Sequence, residues 1–570
     1  MTTAADRQRV YARIAERFPE FVEGVCDLAR VPTISARREA ETEGATATRR
    51  ALERFGVPAR IVPVPGGPSL VVGEVGEDPR RPTLILYNHY DVQPVDPLDE
   101  WTHDPFTPVV ESGQLFGRGI ADTKGNLVAQ ALAQATIREV LGALPLNLRF
   151  MAEGEEEVGS PHLGAFARRH PGLFRADGAC VEAGSHALDG RPQLFMGNKG
   201  ILYVELRART ASVDQHSSLA AVIPNPAWRL LAALRTIRDD RGRITIPGFH
   251  DGMARPTPDA LACLARNPFD PIVYRRVYGA KAVLGGRRRL DRLKAYCYSP
   301  TCNIDGIVSG YVGEGSKTIN PAWAAVKLDF RLLPGQRPAR ILARLRSHLR
   351  RGGFGDLEVI PRSAFEPGAT PVSAPIGQAA IAACQEVYGR APGVFPWAPG
   401  SSTTGYYTSR GTPVVKLPGV AYVGSRVHAP NEHIRLDDAR RAIQLAAAMM
   451  LRFPEFRPRG GAAAESRSGA EPPPDQPGQS APQRAPDGPR EDPEDPGEGE
   501  GVRAVGQAHA PGRGGVAADS PPASHGTPGG PRVHGRLARA SVGDRGWRRV
   551  HGVADHVAHP TLRAVDRAVE

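Results

Sequence analysis

Cysteine is scarce and unpaired in this chain of 570 residues: Cys26, Cys180, Cys263, Cys297, Cys302 and Cys384 are scattered, and no Cys-x-x-Cys pair occurs. That excludes a disulfide framework, argues against a structural zinc knuckle and fits a reducing compartment. Long apolar runs are missing too. The longest, Ala442 to Leu451, is interrupted by Gln444 and bounded by Arg441 and Arg452, far short of the roughly 18 residues a membrane span needs. From Met1 to Phe21 charged and apolar residues alternate with helical spacing, without the apolar core or small-residue cleavage site of a secretory signal. A soluble, cytoplasmic protein that binds no membrane is therefore expected.

Residues 457–570 are poor in apolar side chains. Leu, Ile, Val and Phe supply 12 of these 114 positions and Gly plus Pro supply 35, too little burial to offset the entropy of ordering, so a disordered tail is expected. It has no lysine, and its 15 Arg balance its 15 Asp and Glu, which leaves the whole net charge of +11 on residues 1–456. Its composition fits a flexible interaction segment, a solubilising extension or an out-of-frame reading of GC-rich sequence. The 456 residues before it suggest two or three domains, or one large domain with an insertion. One basic run, Arg287 to Lys294, lacks the interleaved aromatics of a single-strand platform and reads as a solvated helix face, so no nucleic-acid partner is expected.

From residue 81 short apolar runs alternate with longer segments of helical period, the pattern of an α/β protein. Thr83–Tyr87, Leu146–Met151 and Gly178–Val181 read as buried strands and Asn126–Leu141 as a helix. Polar clusters follow the strands, at Asn88 to Asp91, Glu153 to Glu157 and Glu182, where ligands bind in open α/β sheets. Between about 201 and 362 the order becomes βαββαβ, with strands at Ile201–Arg209, Cys302–Tyr311, Ala322–Leu332 and Leu357–Ile360, helices at Asn225–Asp239 and Pro338–Arg351, and a long irregular segment between. That order is ferredoxin-like. The α/β pattern resumes at Ile376–Tyr388 and Val414–Leu417 and closes with a helix to about Arg452 that Asp437 or Asp438 can cap. The expectation is a discontinuous α/β domain (1–205 and 363–456), an inserted domain (206–362) and the tail (457–570).

A lone buried histidine is more often bonded in a core than bound to a metal. His89, Asp122, Glu157, Glu182 and His428 together are less ambiguous: two imidazoles and three carboxylates, all after strands or beside helix starts, suit Zn²⁺ or a similar divalent ion. Five exceed what one catalytic zinc takes. Two metals sharing a carboxylate, roughly 3.5–4 Å apart, could activate water and stabilise a carbonyl oxygen.

The runs His89 to Pro94, Trp101 to Phe106, Gly117 to Gly125, Glu153 to Ser160 and His428 to His433 resemble the motifs of the dinuclear-zinc peptidases that include cytosolic non-specific dipeptidase, carnosinase, carboxypeptidase G, aminoacylase and acetylornithine deacetylase. The resemblance spans about residues 10–455, in order, and lies closest to the dipeptidase-like branch. It implies a three-layer α/β/α zinc-peptidase catalytic domain with a ferredoxin-like lid and dimerisation domain inserted, two Zn²⁺ per subunit (Co²⁺ or Mn²⁺ possible), and a homodimer formed through the lid. By the same resemblance Asp122 bridges the metals, Glu157 and His428 hold one, His89 and Glu182 hold the other, and Asp91 accepts the His89 N–H. Alone, Asp91 reads as a turn residue and Asp122 as a helix N-cap. Glu156 is similar to the family's general base, working on a hydroxide that bridges the zincs, with Glu153 and Glu155 exposed or structural. His216, in Asp214-Gln215-His216-Ser217, resembles the histidine that stabilises the oxyanion in the neighbouring subunit, the alternative being a surface histidine at a strand end. Arg331 resembles a lid arginine that holds the substrate, the alternative being a salt-bridged strand residue.

Two stretches depart from the dipeptidase pattern. Dipeptidases carry a Gly-Gly-Ser-Ile-Pro-like loop that binds the substrate carboxylate; here Gly400 and Ser401 remain but Pro399 removes an amide donor. Trp101-Thr102-His103-Asp104 reverses the usual order of its middle pair. Both bear on the substrate and leave the metal chemistry intact. The expected function is hydrolysis of an amide bond in a small peptide, as a dipeptidase or carboxypeptidase. The alternatives are an N-acyl amino-acid deacylase with the same metal residues and a non-catalytic binding protein on the same fold.

Overall fold

Alternate residues of the strand Thr83–His89 feed two different cores. Leu84 and Leu86 join one buried cluster with Leu148, Phe150, Leu132 and Ile443, whereas Ile85 and Tyr87 join a second with Met151, Val181, Phe166 and Tyr407. A strand apolar on both faces needs cover on both, and the result is three layers, a sheet between two sets of helices. The computed structural model describes residues 2–456, apart from residues 188 and 270. The expected disordered tail, 457–570, lies outside the described residues.

The main sheet has eight strands in the spatial order Ala59–Val62, Leu70–Val75, Asn147–Glu153, Thr83–His89, Gly178–His186, Val414–Tyr422, Gln193–Phe195 and Gly393–Phe395. The four central strands are mutually parallel. Register sets Thr83 opposite Asn147 and His89 opposite Glu153. The chain leaves Thr83–His89 for one neighbour, Asn147–Glu153, and then for the other, Gly178–His186, which makes the end of Thr83–His89 a topological switch point. The crossover helix Gly125–Leu141 is buried along most of its length, and the helices Ala4–Glu16, Phe18–Ala29 and Leu436–Arg452 pack against it.

A second sheet, wholly antiparallel, has the order Thr301–Ser309, Trp323–Leu332, Gly200–Arg209, Glu358–Phe365. Helices Pro226–Ile237 and Pro338–Arg351 cover one face, with Leu230, Ala233, Ile341 and Leu345 packed on Leu202, Val204, Val326 and Phe330. The βαββαβ order read from the sequence is present. Its first strand lies in the second sheet from Gly200 onward and its last runs to Phe365, so sheet membership begins before residue 206 and ends after residue 362.

Several local expectations differ from the structure. The segment between Asp239 and Thr301, expected to be irregular, holds helices Pro258–Ala265, Pro271–Tyr278 and Arg289–Tyr298; of the basic run, Arg287 and Arg288 are exposed ahead of the last helix, Arg292 and Lys294 are half-buried on it, and Arg289 donates to the carbonyls of Ala265 and Asn267, so the run is only partly a solvated helix face. Strands Ala59–Val62 and Leu70–Val75 precede the point where the α/β pattern becomes legible, because the first is half-exposed and short. Neither Asp437 nor Asp438 caps the final helix: Arg435 occupies the cap position and both aspartates lie in the first turn, where they complement the helix dipole. Asp438 pairs with Arg435 and Asp437 with Arg440. Among the described residues no helix is long and apolar enough to cross a membrane, and all six cysteines are free.

Candidate metal and catalytic site

His89 ends its strand at the switch point and is buried. Its Nε2 lies 3.1 Å from Asp122 Oδ1, while Nδ1 lies 3.0 Å from the Asp91 carbonyl and 3.4 Å from Asp91 Oδ1. On the other side of Asp122, Oδ2 lies 3.2 Å from His428 Nε2, which is also 3.1 Å from Glu157 Oε2. Asp122 therefore presents one oxygen to each imidazole. His89, Asp122 and Glu157 offer ligand atoms that all lie within 4.8 Å of one another. Asp122 caps no helix, since the cap position of Gly125–Leu141 is Lys124.

Asp91 does more than orient one ring. Its carboxylate accepts the amides of Glu156 (3.2 Å) and Glu157 (3.0 Å), so one side chain ties the His89 ring to the turn that carries both glutamates. The imidazole N–H expected to reach that carboxylate has its shorter contact with the Asp91 main-chain oxygen. Glu157 is held by Gln93 Nε2 at 3.0 Å. Among the described residues no hydrogen bond engages the Glu156 carboxylate. Glu153 and Glu155 are buried and structural: Tyr87 and Ser160 bond Glu153, and His162 bonds Glu155.

Glu182 lies inside Gly178–His186, beyond the point where the strand was expected to stop, with φ +52°. The pairing with Val414–Tyr422 shifts here: Val415 faces Cys180 and Leu417 faces Ala183, so Val181 and Glu182 oppose the single residue Lys416. Such a bulge re-aims a side chain, and here it accompanies a left-handed residue that non-glycine side chains rarely adopt. Glu182 Oε1 accepts Ser402 Oγ (2.6 Å) and Oε2 pairs with Lys416 Nζ (2.8 Å).

The charges act on one another strongly. Burial opposes the imidazolium of His89, but Asp122 and Asp91 outweigh it and hold its pKa well above the usual histidine range. Burial likewise opposes His428, yet Asp122 and Glu157 raise it to about 10. The same imidazoles hold Asp122 below the carboxylate range against its burial. Burial, reinforced by Glu182, pushes Glu156 well up, and burial with Asp122 raises Glu157. Carboxylates crowded beside two imidazoles, with Glu156 and Glu157 held above their usual range by burial and by their acidic neighbours, are chemically suited to divalent cations, which would neutralise them. Because ligands must lose their protons to bind a metal, cation binding at pH 7 should release at least about one proton per chain, and affinity should fall as pH falls. Calorimetry of Zn²⁺ binding in buffers of different ionisation enthalpy checks this; binding without proton release contradicts it.

Two residues that carry the site drew no role from the sequence. Glu432, fully buried, accepts Arg118 Nη1 (2.7 Å) and the amides of Gly119 (3.0 Å), Ala121 (2.9 Å) and Asp122 (3.2 Å). It fixes the segment that presents Asp122. Lys416 is the other, and a lone lysine inside the apolar run Val414–Leu417 was the available signal.

The segment from Gly400 to Thr404 joins the two sheets. Ser401 Oγ accepts Arg331 Nη1 at 3.1 Å, Ser402 bonds Glu182, and Thr404 Oγ1 donates to Asn198 Oδ1 at 2.7 Å. Arg331 also donates to Asp329 (3.1 Å). The Gly400 carbonyl accepts Asn198 Nδ2 at 3.4 Å. His216 is not brought to this cluster: it is exposed, pairs as a strand residue with Ile319 and bonds Ser218.

The profile of Peptidase family M20/M25/M40 matches residues 85–452. The Beta-Ala-His dipeptidase of Rattus norvegicus is 29% identical over 335 residues, 57% of this chain and 68% of the relative. The Cys-Gly metallodipeptidase dug1 of Schizosaccharomyces pombe is 28% identical over 370 residues, 60% of this chain and 75% of the relative. The crystal structure of the M20 family metallo-carboxypeptidase Sso-CP2 from Sulfolobus solfataricus superposes with a TM-score of 0.73 at 33% identity, covering 76% of this chain and 99% of that one. The chain belongs to peptidase family M20/M25/M40. It is a metallopeptidase or amidohydrolase, an enzyme of dipeptidase-like ancestry.

Proposed function

We propose that the protein hydrolyses the amide bond of a small peptide bearing a free carboxylate, as a dipeptidase or short-range carboxypeptidase. The observation that carries this is Asp122, whose two oxygens face His89 and His428 separately, beside a Glu156 carboxylate that makes no hydrogen bond among the described residues. Asp122 would be shared by two divalent cations, with Glu157 and His428 on one side and His89 and Glu182 on the other; Zn²⁺ suits this donor set, as do Co²⁺ and Mn²⁺. When bound, such ions supply an acidified water and a Lewis acid for the carbonyl.

The chain's own residues do the rest. Glu156 takes the proton of the attacking water and delivers it to the leaving amine. Asp91 keeps Glu156 and His89 in fixed relation through the turn amides. Arg331 and Ser401, already bonded to each other, hold the substrate carboxylate. The names of the rat and fission-yeast relatives, β-Ala-His and Cys-Gly dipeptidases, support short substrates. The four-stranded domain serves as lid and dimer surface, and His216 of the partner subunit supplies oxyanion stabilisation, a role that its exposure and its purely local bond to Ser218 support.

The test pairs metal content per chain with hydrolysis of a panel of dipeptides and N-acyl amino acids. About two metals and turnover of dipeptides support the reading. Turnover of N-acyl amino acids alone would make the enzyme a deacylase, and a folded, reconstituted protein with neither metal nor turnover would make it a binding protein. Arg331→Lys keeps the charge and loses the planar fork, so KM for dipeptides should rise about tenfold or more with a smaller change in kcat. An unchanged KM would remove Arg331 from the substrate site.

A further inference from the structure

The two halves of the proposed metal centre are not equivalent, and the difference is a lysine. On one side Glu157 is bonded by the Gln93 amide at 3.0 Å and by the His428 imidazole at 3.1 Å, itself a proposed ligand that gives up its proton when a metal binds. On the other, Glu182 has both oxygens engaged, by Ser402 Oγ at 2.6 Å and by the ammonium of Lys416 at 2.8 Å. Lys416 cannot swing into water: it sits on the central strand Val414–Tyr422, its side chain 12% exposed, held against Glu182 by the bulge.

An ammonium fixed on a carboxylate does two things to an incoming cation. It occupies a lone pair that would otherwise bind metal, and it adds a like charge at close range in a site with little water to screen it. We propose that Lys416 weakens the Glu182 side of the centre for divalent cations, so that the two positions load in sequence, the Glu157 and His428 side first. The inference rests on the two-cation reading above and assigns Lys416 a tuning role in it. The second ion, held loosely, becomes the one that is lost and regained as metal supply varies.

The experiment is a calorimetric titration of chelator-stripped protein with Zn²⁺, repeated with Mn²⁺. Wild type should show two steps with dissociation constants at least tenfold apart. K416M, similar in length and uncharged, should tighten the weaker step at least tenfold and narrow the gap, whereas K416R should preserve it. E157Q should abolish the tighter step and E182Q the weaker one, which keeps the proposal testable if K416M fails to fold. Two steps unaffected by K416M, two equal steps in wild type, or loss of the tighter step in E182Q would each overturn the proposal and leave the two-cation reading standing. Absence of any binding would overturn both.

Discussion

Glu156→Gln should lower kcat for dipeptide hydrolysis by about 10²- to 10⁴-fold, the usual contribution of a positioned general base, with metal content unchanged. The expectation follows from how differently the chain treats neighbouring glutamates. Glu157 is tied to Gln93 and His428 and Glu182 to Ser402 and Lys416, whereas among the described residues the Glu156 carboxylate is unbonded and its anchors are main-chain ones, the amide on Asp91 and the carbonyl on the Gly159 amide. A ligand has to be held; a group that moves a proton has to be free. Gln preserves the volume and the anchored amide and removes only the capacity to accept and return a proton. Metal analysis of the purified variant separates the outcomes: lost metal would make Glu156 a ligand, and full activity would place the base elsewhere.

Glu432→Ala should be the most damaging substitution outside the metal set. Its carboxylate answers the buried guanidinium of Arg118 and the main-chain amides of Gly119, Ala121 and Asp122. Removing one member of a buried ion pair costs about 3–5 kcal/mol because the remaining charge is left unpaired. The loss also frees the segment that presents Asp122, and outer partners of metal ligands typically carry 10- to 100-fold in affinity. Urea denaturation should register the first effect and Zn²⁺ titration the second. Glu432→Gln, which keeps the shape but turns an acceptor into a donor, should fall between. A stable variant with normal metal affinity would make the Glu432 contacts incidental.

The sequence carried the parts of this molecule that repeat a period or a motif. Pro338–Arg351 was legible to the residue because its apolar stripe, Ile341, Leu345 and Leu349, follows the helical period and Gly352 stops it. The switch-point strand was legible because it is apolar on both faces. Glu182 is legible as a residue but the end of its strand is not: a bulge has no sequence signature when the residue at φ +52° is a glutamate instead of a glycine. Lys416 and Glu432 escaped for a related reason. Their importance lies in partners more than 200 residues away, and neither helical nor strand periodicity reports such a pairing. His216 marks the opposite limit, since among the described residues its side chain bonds only Ser218.

The stretch from Ser401 to Thr404 has an evolutionary consequence. Ser401 bonds the arginine proposed to receive the substrate, and the next residue, Ser402, bonds a proposed metal ligand. Under the proposed function, selectivity and catalytic competence would be written on consecutive residues of one peptide. A lineage changing its diet of substrates could exchange the side chain at 401 but could not lengthen, shorten or reroute the loop without dragging Glu182 with it. Divergence in this enzyme should therefore proceed by substitution at fixed length here, with insertions confined to other walls of the pocket.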